Sequence, residues 1–234
     1  MLENFLDLLY PRRCAICDGV LPYGQRELCG KHKALPYVAE PVCFKCGKEI
    51  ENPLEEYCLD CQEHERHFER GFPVFNYEEP VKSAVLAIKY KNKQEYCEYY
   101  GKQMAMAVRP HLERTGIDGV TYVPIHKKKL KKRGYNQAYL LAKVVARELE
   151  LPLLKDVIVR EKETSPQKQL DNLERANNIK SSIVKGWEAC TCKNILLVDD
   201  IYTTGATVDA CAYTLKNMGV EKVYFSTVCI GRGV

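Results

Sequence analysis

Residues 195–207 read ILLVDDIYTTGAT, and no other stretch of this 234-residue chain restricts its fold as tightly. Four consecutive large apolar side chains, Ile195 to Val198, do not alternate with polar ones. The strand they form must therefore be buried on both faces, as in a parallel sheet covered by helices. Two carboxylates, Asp199 and Asp200, follow at the C-terminal edge of that strand. Thr203, Thr204, Gly205, Ala206 and Thr207 then lead into a helix expected over Thr207 to Met218, stopped by Gly219. Open α/β sheets bind ligands at this edge. A small glycine-containing turn at a helix N-terminus exposes backbone N–H groups to an anion, and threonine hydroxyls add donors. Ionised carboxylates only accept hydrogen bonds, so the acid pair suits the vicinal hydroxyls of a sugar. Ribose 5-phosphate fits both halves of this arrangement.

The surrounding sequence alternates between the strand and helix periods. Phe72 to Tyr77, Gly119 to Val123 and Lys222 to Cys229 read as strands, whereas Pro80 to Ile88 and Asn136 to Glu150 have helical spacing. This alternation predicts an α/β domain with a largely parallel sheet flanked by helices, over residues 66–234. The strand ending in Val123-Pro124-Ile125-His126 opens into HKKKLKKR, six basic residues in eight. Lys127, Lys128, Lys129, Lys131, Lys132 and Arg133 could neutralise a phosphorylated ligand or simply form a solvated face. In RGYNQ, Gly134 permits an unusual turn and Asn136 can cap the following helix. A long polar stretch, Arg160 to Asn178, has the make-up of an active-site lid, with Arg160, Gln167 and Arg175 as candidate contacts. Neither GxxxxGK[ST] nor GxGxxG occurs, so a nucleoside-triphosphatase loop and a dinucleotide fold are unsupported.

The first 65 residues have a different texture. Seven of the chain's 12 cysteines lie before residue 62. Cys14, Cys17, Cys29 and His32 form a C-x2-C-x11-C-x2-H set; moved 29 positions along the chain, it lands on Cys43, Cys46, Cys58 and Cys61. A C-x2-C turn aims two thiolates at one point, and a second turn supplies the other two corners of a tetrahedron. The repeat predicts two structural zinc sites in a small double zinc-ribbon module over residues 1–65. Consecutive pairing is the simplest arrangement and a cross-braced one the alternative. Four protein ligands would close each site, so no catalysis is assigned to zinc. The stretch QEHERHFERG, residues 62–71, reads as a charged linker.

Bulk properties exclude little else. The net charge of +4 is too mild to identify a nucleic-acid partner by itself. The apolar stretches are too short to span a bilayer, and Met1 to Pro11 lacks the basic leader of a secretory signal. Leu2, Phe5, Leu6 and Leu9 share one side of a short helix that would pack on the next module.

The run at 195–207 resembles the 13-residue signature of type I phosphoribosyltransferases at every position. That resemblance implies that Asp199 and Asp200 hold the ribose as the catalytic pair. Residues 203–207 would hold the 5-phosphate. A loop at Ile125, His126, Lys127 and Arg133 would receive the pyrophosphate of phosphoribosyl pyrophosphate together with Mg2+. The whole chain is similar to the competence protein ComF family. The tandem ribbon, Lys89-Tyr90, the PIH-to-RGYNQ segment, the TxxQxxL lid and VDDIYTTGAT stand in that family's order. His32 departs from it, since these ribbons usually carry Cys there. The family implies a cytoplasmic protein that handles incoming single-stranded DNA beside a helicase-like partner, with association at the inner face of the membrane through such partners.

Two functions fit these residues, with a weaker third. The chain is a glycosyltransferase that moves a phosphoribosyl group to an acceptor the sequence does not name. Alternatively it is a non-catalytic module for single-stranded nucleic acid, with the basic run on the backbone and Tyr96, Tyr99 and Tyr100 either stacking on bases or packing in the core. In the third, the ribbons are an adaptor for a protein partner.

Overall fold

The computed structural model describes residues 11–22, 24–32, 34–161 and 181–231. The short helix expected before Pro11 and most of the expected lid, including Gln167 and Arg175, lie outside them.

Helix α1 (Leu59–Glu63) belongs to the cysteine-rich module, and strand β1 (Arg70–Asn76) with its helical successors to the main domain. These successors are α2 (Val81–Tyr90), α3 (Tyr96–Val108) and the short α4 (Leu112–Thr115). Next come β2 (Gly119–Tyr122), α5 (Lys127–Arg133) and α6 (Gln137–Leu149). A short antiparallel pair, β3 (Ile158–Arg160) and β4 (Ile183–Lys185), precedes β5 (Asn194–Tyr202), α7 (Ala206–Asn217) and β6 (Lys222–Ile230). The main sheet is wholly parallel in the order β1-β6-β5-β2. Helices α3 and α6 pack on each other and on its strands, while α7 packs on β5, β6 and the β3–β4 pair. The expected parallel sheet flanked by helices is the observed architecture.

Strand β5 is central, and Ile195, Leu196, Leu197 and Val198 are all 0% exposed. The strand continues through Asp199 and Asp200 to Tyr202, four residues beyond the apolar run, because β6 pairs with it as far as Ile230. Helix α6 is capped as expected: the Asn136 side chain accepts from the Ala138 N–H at 3.0 Å and donates to the Val123 carbonyl at 3.0 Å. Gly134 and Gly219 both have positive φ, so each ends a helix in the left-handed conformation that glycine adopts without strain. Tyr96, Tyr99 and Tyr100 lie in α3 and are buried in the core, so this cluster packs rather than offering rings to bases. Gly101 makes the α3–α6 crossing possible: a Cβ there would stand 2.5 Å from the Val144 Cβ.

The cysteine-rich module repeats in three dimensions as it does in sequence. Isolated bridges join Arg13 to Val20 and Val42 to Glu49. Cys14 N–H donates to the Gly19 carbonyl, and Cys43 N–H to that of Lys48. The left-handed turn falls on Asp18 in one copy and Gly47 in the other. The ligand atoms of Cys14, Cys17, Cys29 and His32 lie within 4.8 Å of one another, as do those of Cys43, Cys46, Cys58 and Cys61. Pairing is therefore consecutive. The Cys17–Cys29 and Cys46–Cys58 sulfur separations are 3.7 and 3.6 Å. A zinc tetrahedron with bonds of about 2.3 Å has edges of about 3.8 Å, so both sets fit the ion. Cys29 and Cys46 N–H groups point at the Cys14 and Cys43 sulfurs. Burial pushes the Cys14 thiol up, but such amide donors outweigh it and bring the group down to about 6. His32 Nε2 is buried without a hydrogen bond among the described residues, as suits a metal ligand. The sequence departure at position 32 thus leaves the first site with a competent fourth donor.

The module closes an edge of the sheet. Val38 N–H donates to the Val74 carbonyl and Asn76 N–H to that of Pro36, along the otherwise open side of β1. Tyr37 packs on Phe75 at 4.6 Å. An uncovered strand edge would invite pairing with another chain. None of the described helices is long and apolar enough to cross a membrane.

Metal analysis of the purified protein should return two zinc ions per chain. Cys58→Ser should release one of them and lower the thermal midpoint; a metal-free protein of unchanged stability would contradict the ribbon.

Candidate functional site

Both candidate carboxylates follow the fully buried apolar run of β5, where desolvation penalises charge. Asp200 is 5% exposed. Its carboxylate is held by the Lys89 ammonium at 2.9 Å and by the Gln137 amide, which donates to Oδ2 at 3.1 Å. Burial pulls the Lys89 pKa down, but the Asp200 charge, the hydrogen bond to it and the Asp199 charge together outweigh this and the net shift is upward. The two groups are therefore a true ion pair. Asp199 retains partial exposure and accepts from the Asp200 backbone N–H at 2.8 Å. Burial of its carboxyl, reinforced by the adjacent Asp200 charge, holds its pKa well above the ordinary carboxylate range. The sheet edge thus presents one acid tied to a cation and an amide, and a second whose carboxyl is held towards the protonated form.

The turn after β5 has the expected shape. Gly205 has φ +75° and immediately precedes α7. A Cβ at this position would stand 2.2 Å from the Tyr202 hydroxyl, so only glycine fits. Thr203 and Thr204 are exposed, and Ala206 and Thr207 are partly so. The structure gathers Asp199, Asp200 and residues 203–207 at one end of the sheet, with Ile125 next to them because Val123 N–H donates to the Val198 carbonyl at 2.9 Å.

The basic run is a helix rather than an extended loop. His126 caps it, its Nδ1 accepting from the Lys128 N–H at 3.3 Å while Nε2 meets the Glu161 carbonyl at 3.1 Å. Lys127, Lys131 and Lys132 are exposed. Arg133 is linked to the acid pair through one intermediary: it donates to Gln137 Oε1, and Gln137 donates to Asp200. Its guanidinium also lies 5.8 Å from the Tyr90 ring. Arg160, in β3, is close enough to Asp199 to feel its charge, although burial is the larger influence on it and lowers its pKa. A cavity of 540 Å³ opens beside this group, lined in part by Ile125, Lys127, Tyr139, Asp156 and Arg160, with the exposed Trp187 at its rim. Lys89 and Gln137 stand within the motifs quoted from the sequence, Lys89-Tyr90 and RGYNQ, but the sequence assigned them no place in the site. The signal for Lys89 was a cation at the end of an amphipathic helix, and that for Gln137 its place directly after a helix cap.

The segment 62–71 is packed rather than a free linker. The Arg66 guanidinium bridges Asp60 at 2.7 Å and the Thr204 carbonyl at 3.0 Å. His67 donates its backbone N–H to Asp209 at 2.6 Å, and Phe68 is fully buried against Phe225.

Removing Lys89 should strand a buried carboxylate. Lys89→Met should lower stability by roughly 2–3 kcal/mol in urea unfolding, and adding Asp200→Asn should restore most of the loss. If the double variant is no more stable than the single one, the ion pair is not what holds this edge.

Comparison with known proteins finds two domain families in the chain. Residues 5–62 match the family described as Double zinc ribbon domain. Residues 136–233 match Phosphoribosyl transferase domain. The chain is 28% identical over 217 residues to "Competence protein F" of Haemophilus influenzae, covering 90% of this chain and 93% of that protein. It is 24% identical over 230 residues to "DNA utilization protein YhgH" of Escherichia coli K12, covering 95% and 98%. Among solved structures, a purine phosphoribosyltransferase from Pyrococcus horikoshii aligns with a TM-score of 0.33 at 15% identity, over 56% of this chain and 73% of that one. With both domain families matched in order and one relative similar along nearly its whole length, the chain is similar to ComF proteins and carries a double zinc ribbon followed by a phosphoribosyltransferase domain.

Proposed function

We propose that this chain binds phosphoribosyl pyrophosphate with Mg2+ at the C-terminal end of β5 and transfers the phosphoribosyl group to an acceptor, in the service of single-stranded DNA handling. The observation that carries the reading is the acid pair Asp199–Asp200 beside a turn that only glycine can make, at the start of a 12-residue helix. In this reading the N–H groups of 203–207 and the threonine hydroxyls receive the 5-phosphate, favoured by the dipole of α7. Asp199 and Asp200 accept from the ribose hydroxyls. Lys89 and Gln137 hold Asp200 in one orientation, so its remaining acceptor lone pairs meet the sugar without reorganisation. The leaving pyrophosphate lies towards Ile125, His126 and Lys127, with Arg133 and Arg160 adding positive charge nearby. The carboxylate oxygens of Asp199 and Asp200 and those of the pyrophosphate are donors that suit Mg2+, which when bound would neutralise charge on the departing pyrophosphate. The names of the relatives, one for competence and one for DNA utilisation, support the link to DNA.

A second reading is binding of a single strand without transfer. The exposed lysine face of α5 favours it, since such a face can track a phosphate backbone.

Titration with phosphoribosyl pyrophosphate and Mg2+ should show saturable binding by the wild type and at least about tenfold weaker binding by Asp200→Asn, the scale of a lost charge-assisted hydrogen bond. Equal affinities would remove the sugar role of the carboxylates. Single-strand affinity should fall steeply with salt, and neutralising Lys127, Lys131 and Lys132 together should flatten the slope by about two to three. An unchanged slope would clear α5 of backbone contact. Pyrophosphate release across a panel of nucleobases and amines separates the two readings, since silence for every acceptor would favour binding alone.

A further inference from the structure

Three consecutive residues leaving the second cysteine set grip the turn after β5 from behind. Asp60 lies between the ligands Cys58 and Cys61, on α1, and anchors Arg66 at 2.7 Å. The same Arg66 nitrogen donates to the Thr204 carbonyl at 3.0 Å, and the side chain is only 8% exposed. His67 holds Asp209, in the first turn of α7, through its backbone N–H at 2.6 Å and through ring Nδ1 at 3.0 Å. Phe68 packs edge-on against Phe225 at 4.8 Å, and Phe225 stacks on Tyr202 at 4.9 Å, the residue that presses on Gly205. Thr204, Asp209 and Tyr202 thus fix the turn, the helix and the strand of one loop.

The hold on Thr204 has a directional consequence. A trans peptide is planar, so the carbonyl of Thr204 and the N–H of Gly205 point opposite ways. Pinning that oxygen on Arg66 turns the Gly205 N–H away from the ribbon exit. If the peptide flipped, a carbonyl would replace the donor and repel an anion. Gly205 itself cannot resist such a flip, because glycine tolerates both signs of φ. The restraint has to come from outside the loop, and Arg66 supplies it.

We propose that Arg66 and His67 are positioning residues that carry the order of the second zinc site to the turn at 203–207, so that its hold on a phosphate depends on metal the ligand never touches. The part of this that concerns phosphate rests on the function proposed above, whereas the restraint on the turn does not. The ribbon is then a working part of the sugar-phosphate site as well as a cover for β1.

Two readouts on the full-length, zinc-loaded protein test this. Amide hydrogen exchange of the ligand-free protein should be faster across 203–209 in Arg66→Ala than in the wild type, with β6 unchanged and zinc content still that of the wild type. Calorimetric titration with ribose 5-phosphate should show affinity about tenfold weaker in Arg66→Ala, the size expected of coupling through a contiguous network. Arg66→Lys should recover part of it. Cys61→Ser, which opens the second site, should lose affinity to a similar extent, and combining it with Arg66→Ala should add little. Exchange in the turn that Arg66→Ala leaves unaltered would overturn the proposal. Faster exchange with no binding of ribose 5-phosphate by the wild type would retain the restraint and refute the sugar-phosphate reading. Binding that Arg66→Ala leaves at wild-type strength would refute the link to phosphate.

Discussion

A carboxylate at the end of a strand covered on both faces is unfavourable unless its charge is met, and here it is met by one ammonium and one amide. Lys89 from α2 and Gln137 from α6 converge on Asp200 in β5, so three elements distant in sequence are committed to one geometry. The pair is short and largely shielded from solvent, where truncating either partner leaves an uncompensated charge. This contact gives the Asp200 carboxylate a cation and a donor in a site with so little exposure. Asp199 has a buried carboxyl, the charge of Asp200 beside it and no cation at salt-bridge distance among the described contacts, and its pKa is pushed upward.

The cysteine-rich module and the sheet depend on each other. A ribbon of this size has little core and takes its order from metal, while β1 needs a cover for its open side. The contacts of Tyr37 and Val38 with β1 satisfy both requirements. Gly71 N–H donates to the Lys45 carbonyl, and Gly47 sits so close to Pro73 that a Cβ would fall 2.5 Å from its ring. The charged stretch between the two domains is folded into this junction, and its Arg66 and His67 reach the turn on the far side of the sheet.

Much of this was legible because some residues admit only one reading. The unbroken ILLV run required a strand buried on both faces, and the cysteine sets required two tetrahedra whatever their order. Asn136 and Gly219 marked helix ends because capping and left-handed turns have few substitutes. What could not be read depended on tertiary partners. Helix α3 was missed because YCEYYGKQMAMAV begins without a side-chain cap and contains Gly101, whose value appears only where Val144 crosses it. The lysine run became a helix because Lys and Arg favour one and His126 and Gly134 bound it. Residues 62–71 looked like a linker because Arg66 and His67 are polar, and nothing local shows that their partners lie about 140 residues away.

The account stands or falls on what occupies the end of β5. A crystal structure of the protein soaked with ribose 5-phosphate tests it most directly. The phosphate should sit on the backbone N–H groups of 203–207, with the ribose hydroxyls on Asp199 and Asp200 and the Lys89 contact intact. A sugar phosphate bound elsewhere, with this turn filled by the protein's own side chains and the two acids turned inward, would contradict it.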